Sequence, residues 1–203
     1  MEARYVKSVY HAVDLPRDRR VEIAVAGKSN VGKSSLLNRL VNRRALAKTS
    51  RTPGKTHCLN FFLVEPENSP AFYLVDLPGY GYAKVSQTMR DDWGTLIEAY
   101  LSEPDRPSGL IALFDARREP TAVDSDWVAW LGMWGRPFLV VLTKSDKVSG
   151  NARAHAIKRW TLAGSSGAMV PVTASAVTGE GIDKIWQWMD NVRRASRSGA
   201  LRS

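Results

Sequence analysis

Gly27, Gly32, Lys33 and Ser34 stand in a G-x-x-x-x-G-K-S pattern that runs Gly27-Lys28-Ser29-Asn30-Val31-Gly32-Lys33-Ser34. An apolar run, Val21–Ala26, precedes it, and Leu36, Leu37, Leu40 and Val41 follow at helical spacing. In that context the glycines permit a turn whose successive N–H groups point at phosphate oxygens, backed by the positive end of the next helix. Lys33 is then placed to reach the β- and γ-phosphates of a nucleoside triphosphate, and the Ser34 hydroxyl to ligate Mg2+. Gly27, Lys28, Ser29, Asn30, Val31, Gly32, Lys33, Ser34 and Ser35 are the expected phosphate-binding residues. This loop by itself does not separate guanine from adenine nucleotides.

A second group supplies that distinction. Thr143-Lys144-Ser145-Asp146 follows the apolar run Phe138–Leu142 and matches [NT]-K-x-D. A carboxylate at Asp146 accepts two hydrogen bonds, from N1–H and the N2 amino group of guanine. Adenine has no such donor pair and would leave the carboxylate unpaired. The stem of Lys144 can lie over the base. Asp76-Leu77-Pro78-Gly79 closes another apolar run: Asp76 can hold Mg2+ through water, and the Gly79 N–H can approach the γ-phosphate. Ser175-Ala176, after the last apolar run, fits a loop whose backbone N–H groups meet the guanine O6. A threonine that senses the γ-phosphate and Mg2+ is required between Gly32 and Asp76. Of Thr49, Thr52 and Thr56, Thr56 in Pro53-Gly54-Lys55-Thr56 lies closest to the next strand and is the expected one, with Gly54 and Lys55 beside the nucleotide. Lys33, Thr56 and Gly79 are the expected catalytic groups.

Positioning such loops requires strands that end where the loops begin. Short apolar runs alternate with amphipathic stretches, the pattern of a parallel sheet covered by helices. The runs are Val21–Ala26, Leu59–Val64, Phe72–Asp76, Gly109–Phe114, Phe138–Thr143 and Met169–Val172. Helical stripes are formed by Met89, Trp93, Leu96, Ile97, Tyr100 and Leu101, by Val123, Trp127, Trp130, Leu131 and Trp134, and by Ile182, Ile185, Trp186, Met189 and Val192. Pro66 to Pro70 reads as a hairpin, so the strands around it should pair antiparallel. Met1–Arg20 reads as a leader of little periodicity, residues 21–194 as one domain, and Ala195–Ser203 as a basic, disordered tail. Most tryptophans fall on core faces of the stripes and are expected to pack there rather than stack on bases.

The chain of 203 residues suits one α/β domain, and its formal net charge of +9 favours polyanionic partners. An acid-free stretch from Ile23 to Val64 holds Lys28, Lys33, Arg39, Arg43, Arg44, Lys48, Arg51 and Lys55. A second basic group, Arg193, Arg194, Arg197 and Arg202, lies beyond Asp190. Cys58 is the single cysteine, which excludes an intrachain disulfide. His11, His57 and His155 have no metal-ligand spacing. Neither a signal segment nor a bilayer-length apolar run is present, so a cytoplasmic protein is expected.

Together Gly27–Ser35, Arg51-Thr-Pro-Gly-Lys-Thr56 and Asp76-Leu-Pro-Gly-Tyr-Gly-Tyr-Ala-Lys-Val85 closely resemble the EngB (YsxC/YihA) family of bacterial GTPases, from the leader to the last helix. The resemblance implies a three-layer, Ras-like P-loop GTPase fold with a six-stranded, mostly parallel sheet, one antiparallel edge strand and helices on both faces. It implies GTP/GDP as ligand, Mg2+ held by Ser34 and Thr56, cytoplasmic location, and a role in assembling the large ribosomal subunit. His57-Cys58 and Ala174-Ser175-Ala176 depart from the commoner family residues, which bears on the base-contacting assignment of Ser175 and Ala176. Where Ras-like proteins carry a water-orienting Gln after D-x-x-G, this chain has Tyr80, which implies slow intrinsic hydrolysis accelerated by a partner. Asn30 occupies the position at which potassium-activated relatives ligate K+. Arg43–Lys55 is expected to contact ribosomal RNA through phosphates, in a nucleotide-dependent way. The competing reading is a GTP-dependent interaction module in cell division (septation) with negligible hydrolysis. A membrane-acting GTPase is disfavoured by the missing lipidation motif. A monomer is expected.

Overall fold

A computed structural model describes residues 1–43, 46–47, 58–79, 87–163 and 170–199. Its strands are β1 (Glu2–Val9), β2 (Glu22–Gly27), β3 (Leu59–Glu65), β4 (Phe72–Asp76), β5 (Gly109–Asp115), β6 (Phe138–Thr143) and β7 (Val172–Thr173). The helices are α1 (Lys33–Leu40), α2 (Gln87–Ser102), α3 (Ala122–Met133), α4 (Gly150–Ala163) and α5 (Ile182–Arg197). The strands form one sheet in the order β1-β3-β4-β2-β5-β6-β7. β4, β2, β5, β6 and β7 run parallel, and the Pro66–Pro70 turn makes β3 antiparallel to β4, as the hairpin reading requires.

Parallel strands covered on both sides read as unbroken apolar runs, and all seven residues of β5 are buried. Alternate residues of each strand feed different layers. Ile23 and Val25 face a layer with Ile111, Leu113 and Val141, closed by Leu36, Leu37 and Leu40 of α1 and Ile185 and Met189 of α5. Ala24 and Ala26 face the opposite layer, closed by Leu96 and Tyr100 of α2, Val128 and Leu131 of α3, and Ala156 and Trp160 of α4. Among the described residues no helix is long and apolar enough to cross a membrane.

The sheet has one strand more than the six expected, and the leader supplies it. β1 pairs antiparallel with β3, so β1 is the edge strand and runs in the same direction as β4, and the reversed strand, expected at the edge, is the interior strand β3. A register shift between Tyr5 and Lys7 explains why the strand escaped detection. Ala3 packs into one layer, whereas Val6 and Val9 pack into the other. A bulge thus breaks the period-two pattern that announces a strand. Helix α4 was also not anticipated: among its described side chains Ala156 and Trp160 are buried and Ile157 packs partly against the same layer, too short a stripe to announce a helix. Trp160 lies beside Phe114 with ring centroids 4.0 Å apart. α5 continues to Arg197, so the expected tail is partly helix, and the last strand starts at Val172 instead of Met169. Trp127, Trp130 and Trp134 stack along α3 at 5.1 and 6.0 Å. Val123 and Trp130 of that stripe are exposed instead of core.

At the end of the sheet opposite the strand C-termini, Glu22 is buried, accepts a hydrogen bond from Tyr100 Oη at 2.8 Å and lies 3.4 Å from Arg106 Nη1. Burial pushes its carboxyl up to about 7 against the opposing pull of Arg106 and Tyr100. A carboxyl raised in the folded state stabilises the fold at low pH and loses that contribution as pH rises through the raised value. Relative to Glu22→Gln, the unfolding free energy of the wild type should therefore fall by about 3 kcal/mol between roughly pH 4.5 and pH 8. Urea titrations of both proteins across that range check this; a constant difference between them would contradict it.

Candidate nucleotide-binding site

Among the described residues, the loops that carry the phosphate motif, Asp76–Gly79, Thr143–Asp146 and Ser175-Ala176 leave the carboxyl ends of parallel strands, which brings them to one edge of the sheet. Residues 27–32 connect β2 to α1, whose N-cap is Gly32. Leu36 N–H is satisfied by Gly32 O, so the N–H groups of Lys33, Ser34 and Ser35, in the first turn, have no helical acceptor and suit phosphate oxygens. Ser34 is half-buried at that turn and Ser35 is exposed. Lys33 Nζ is ion-paired with Asp76, which ends β4, and both side chains are largely buried. The two are thus at the same point, although forty-three residues separate them. A Cβ on Gly79 would lie 2.7 Å from Ser29 Oγ and 3.1 Å from Ser29 N, so the loop after β4 is in direct contact with the phosphate loop and glycine is required for that approach.

The Thr143–Asp146 segment is tied to the loop between β2 and α1. Thr143 Oγ1 lies 2.6 Å from Val31 O and 3.0 Å from Phe114 O. Its single proton can serve one of these at a time, and the shorter contact is the one to the phosphate loop. Lys144, with φ 59°, extends its ammonium to Asn30 O at 2.6 Å and to Asp115 Oδ2 at 3.0 Å. The stem of Lys144 is thereby stretched along the loop edge. Ser175 Oγ donates to Asp146 Oδ1 at 2.7 Å, and this bond holds the Asp146 carboxyl below its ordinary range. Asp146 is therefore fixed as the ionised acceptor that a guanine N1–H and N2 amino group would meet.

Several groups take places that sequence reasoning did not assign. Lys28 directs its ammonium away from the phosphate loop, to Asp124 Oδ2 at 2.8 Å and Thr121 Oγ1 at 3.1 Å, the capping pair at the start of α3. Its side chain anchors the loop; only its backbone can serve phosphate. Ser175 is fully buried and its N–H donates to Glu180 O at 3.0 Å, so its side chain positions Asp146 and Ala176 keeps the remaining N–H of that pair. Asp115, at the end of β5, accepts from Arg117 and from Lys144. Burial works against its charged form, but those hydrogen bonds and the Arg117 N–H outweigh burial and hold its carboxyl well below the usual range. A carboxylate closing a buried strand, as Asp76 does, was the signal that could have found Asp115. Gly54, Lys55 and Thr56, with Arg44, Lys48, Arg51 and Tyr80, lie outside the described residues.

The donor set fits a magnesium nucleotide. A hydroxyl at the first turn of α1, a buried carboxylate at the end of β4 and an ammonium between them suit a hard cation and a polyphosphate. Comparisons with known proteins bear on the nucleotide. Residues 22–144 match the family model described as 50S ribosome-binding GTPase. A probable GTP-binding protein EngB of Latilactobacillus sakei is 45% identical over 192 residues, covering 93% of this chain and 94% of that protein. The corresponding protein of Pelotomaculum thermopropionicum is 47% identical over 156 residues, 77% of each chain. Among solved structures, a probable GTP-binding protein engB superposes with a TM-score of 0.65 at 19% identity, over 86% of this chain and 99% of that one. Era in complex with MgGDPNP and nucleotides of 16S ribosomal RNA superposes with a TM-score of 0.67 at 21% identity, over 85% of this chain and 57% of that one. At these identities the superpositions establish a P-loop GTPase fold. With the strand-end loops, the two tethered half-sites and the sequence relatives all in agreement, the chain belongs to the EngB family of GTP-binding proteins and is a GTPase.

Proposed function

We propose that the chain is a GTP-operated switch in the assembly of the bacterial large ribosomal subunit, with slow hydrolysis of its own that a ribosomal partner accelerates. The observation that carries the switch is the joining of base and phosphate recognition through Thr143–Val31 and Lys144–Asn30. Nucleotide occupancy then bears on one connected body, from the guanine loop to the Asp76–Gly79 loop that touches Ser29. Lys33 exchanges its Asp76 partner for phosphate oxygens, and Gly79 offers its N–H to the γ-phosphate. Ser34 and Thr56 would hold magnesium, and Asp76 would hold it through water. Magnesium, when bound, neutralises polyphosphate charge and gives Asp76 a replacement cation. Asn30, whose carbonyl is already engaged by Lys144, would offer its side-chain oxygen to K+.

The ribosomal part of the reading is supported by the description of the matching family model, the net charge of +9 and the basic stretch Arg43–Lys55, which suits phosphate contacts on ribosomal RNA. Tyr80 in place of a water-orienting Gln supports slow turnover. The reading places the protein in the cytoplasm as a monomer. Co-sedimentation with large-subunit precursors tests it: binding should be stronger with a non-hydrolysable GTP analogue than with GDP, and phosphate release should rise when particles are added. Equal binding in both nucleotide states would overturn the switch. Particle-independent, negligible phosphate release would favour a non-hydrolysing interaction module.

A further inference from the structure

We infer that Glu180, clasped by Arg153, is a positioning residue for guanine recognition. This rests on Asp146 being the group that reads the base. The carboxylate of Asp146 is aimed by two separate loops, the one after β6 and the one between β7 and α5. Ser145 N–H donates to Ala174 O at 3.2 Å, and Ser175 Oγ donates to Asp146 at 2.7 Å. Neither contact would hold its direction if the two loops could slide past each other.

Glu180 prevents that sliding. Its Oε2 accepts from Ser145 Oγ at 3.1 Å, and its Oε1 accepts from Thr173 Oγ1 at 3.1 Å and Arg153 Nη1 at 2.8 Å. Its backbone carbonyl accepts from Ser175 N–H at 3.0 Å. Arg153 Nη2, from α4, donates to Ser145 O at 3.0 Å, which closes a ring of Ser145, Glu180 and Arg153. One side chain therefore holds the residue before Asp146, while its own carbonyl holds the serine that orients Asp146. Ser145 and Ser175 are both fully buried, so neither has water as an alternative partner.

A mere surface ion pair would behave differently. Arg153 and Glu180 are 31% and 34% exposed, and a pair so exposed contributes little to stability. The consequence of losing the clasp should appear in the aim of Asp146, hence in discrimination between bases, more than in melting temperature. Inosine diphosphate lacks the N2 amino group, so the ratio of GDP to inosine diphosphate affinity reads how well the carboxylate meets that group.

The test measures GDP, inosine diphosphate and xanthosine diphosphate binding to the full chain, with thermal melting alongside. Glu180→Ala and Arg153→Ala should each lower the GDP-to-inosine-diphosphate ratio by about tenfold, and the double variant no further, because both break one clasp. Asp146→Asn should exchange the preference for guanine for one for xanthine. If Asp146→Asn does so while the ratio in the Glu180 and Arg153 variants stays at the wild-type value, the positioning role is wrong and base reading by Asp146 stands. Failure of Asp146→Asn to exchange preference removes both. Should Glu180→Ala not fold, Glu180→Gln, which keeps the shape and one acceptor oxygen, decides by the same ratio.

Discussion

Lys33→Ala should lower GTP affinity by about a thousandfold or more, through the loss of two charge-assisted hydrogen bonds to phosphate. A second effect should appear without any nucleotide. The Lys33 and Asp76 side chains are 12% and 8% exposed, so removing the ammonium leaves a nearly buried carboxylate without its cation. Breaking such a pair from one side costs about 3–5 kcal/mol, because the remaining charge stays desolvated. In a chain of this length that corresponds to a fall in melting temperature of roughly 10 °C. Asp76→Asn added to Lys33→Ala should restore most of the stability and none of the GTP binding, since it removes the stranded charge without replacing the phosphate ligand. Melting curves of the nucleotide-free variants, with fluorescent GTP titrations, check both halves. A Lys33→Ala protein that melts with the wild type would show that the ion pair contributes nothing to the fold.

Gly181→Ala is expected to be the most damaging single methyl addition at the site. Gly181 caps α5 with φ 74°, and a Cβ there would lie 2.0 Å from Thr173 O. The obstacle is backbone, so no rotamer change relieves it, and the positive φ adds strain of its own. Either β7 or the first turn of α5 must move, and a loss of about 3 kcal/mol or more in urea unfolding is expected. Since the same segment carries Ser175 and Glu180, GDP affinity should fall with it. Alanine at Gly150, where an added Cβ meets nothing within 4 Å, is the control and should leave GDP affinity unchanged.

Much of this architecture was legible because its signals are local. The buried strands β2, β4, β5 and β6 read as continuous apolar runs, which is what a sheet covered on both faces demands. The phosphate loop was legible because a strand, a glycine-bearing turn and a helix start follow one another within a few residues. β1 was not, since its bulge moves Val6 and Val9 to the face opposite Ala3. α4 was not, because Ala156, Ile157 and Trp160, its core contacts among the described side chains, make too short a stripe to stand out.

The two runs expected to bind phosphate and to read the base, Gly27–Ser34 and Thr143–Asp146, were legible in sequence alone, because each is a contiguous run whose chemistry depends on adjacent backbone and side chains. What each of these side chains contacts, and what holds it in place, was decided only by the tertiary structure. Lys28 looks like a ligand in the run but turns to Asp124, and Ser175 turns its hydroxyl to Asp146. Asp115, Arg153 and Glu180 stand outside every motif, yet hold Lys144 and the Asp146 loop. The physical reason is distance along the chain. Hydrogen bonds between separate loops, such as Ser145 to Glu180, leave no periodicity and no spacing rule, and exist only once the parallel strands have brought their carboxyl ends to one edge.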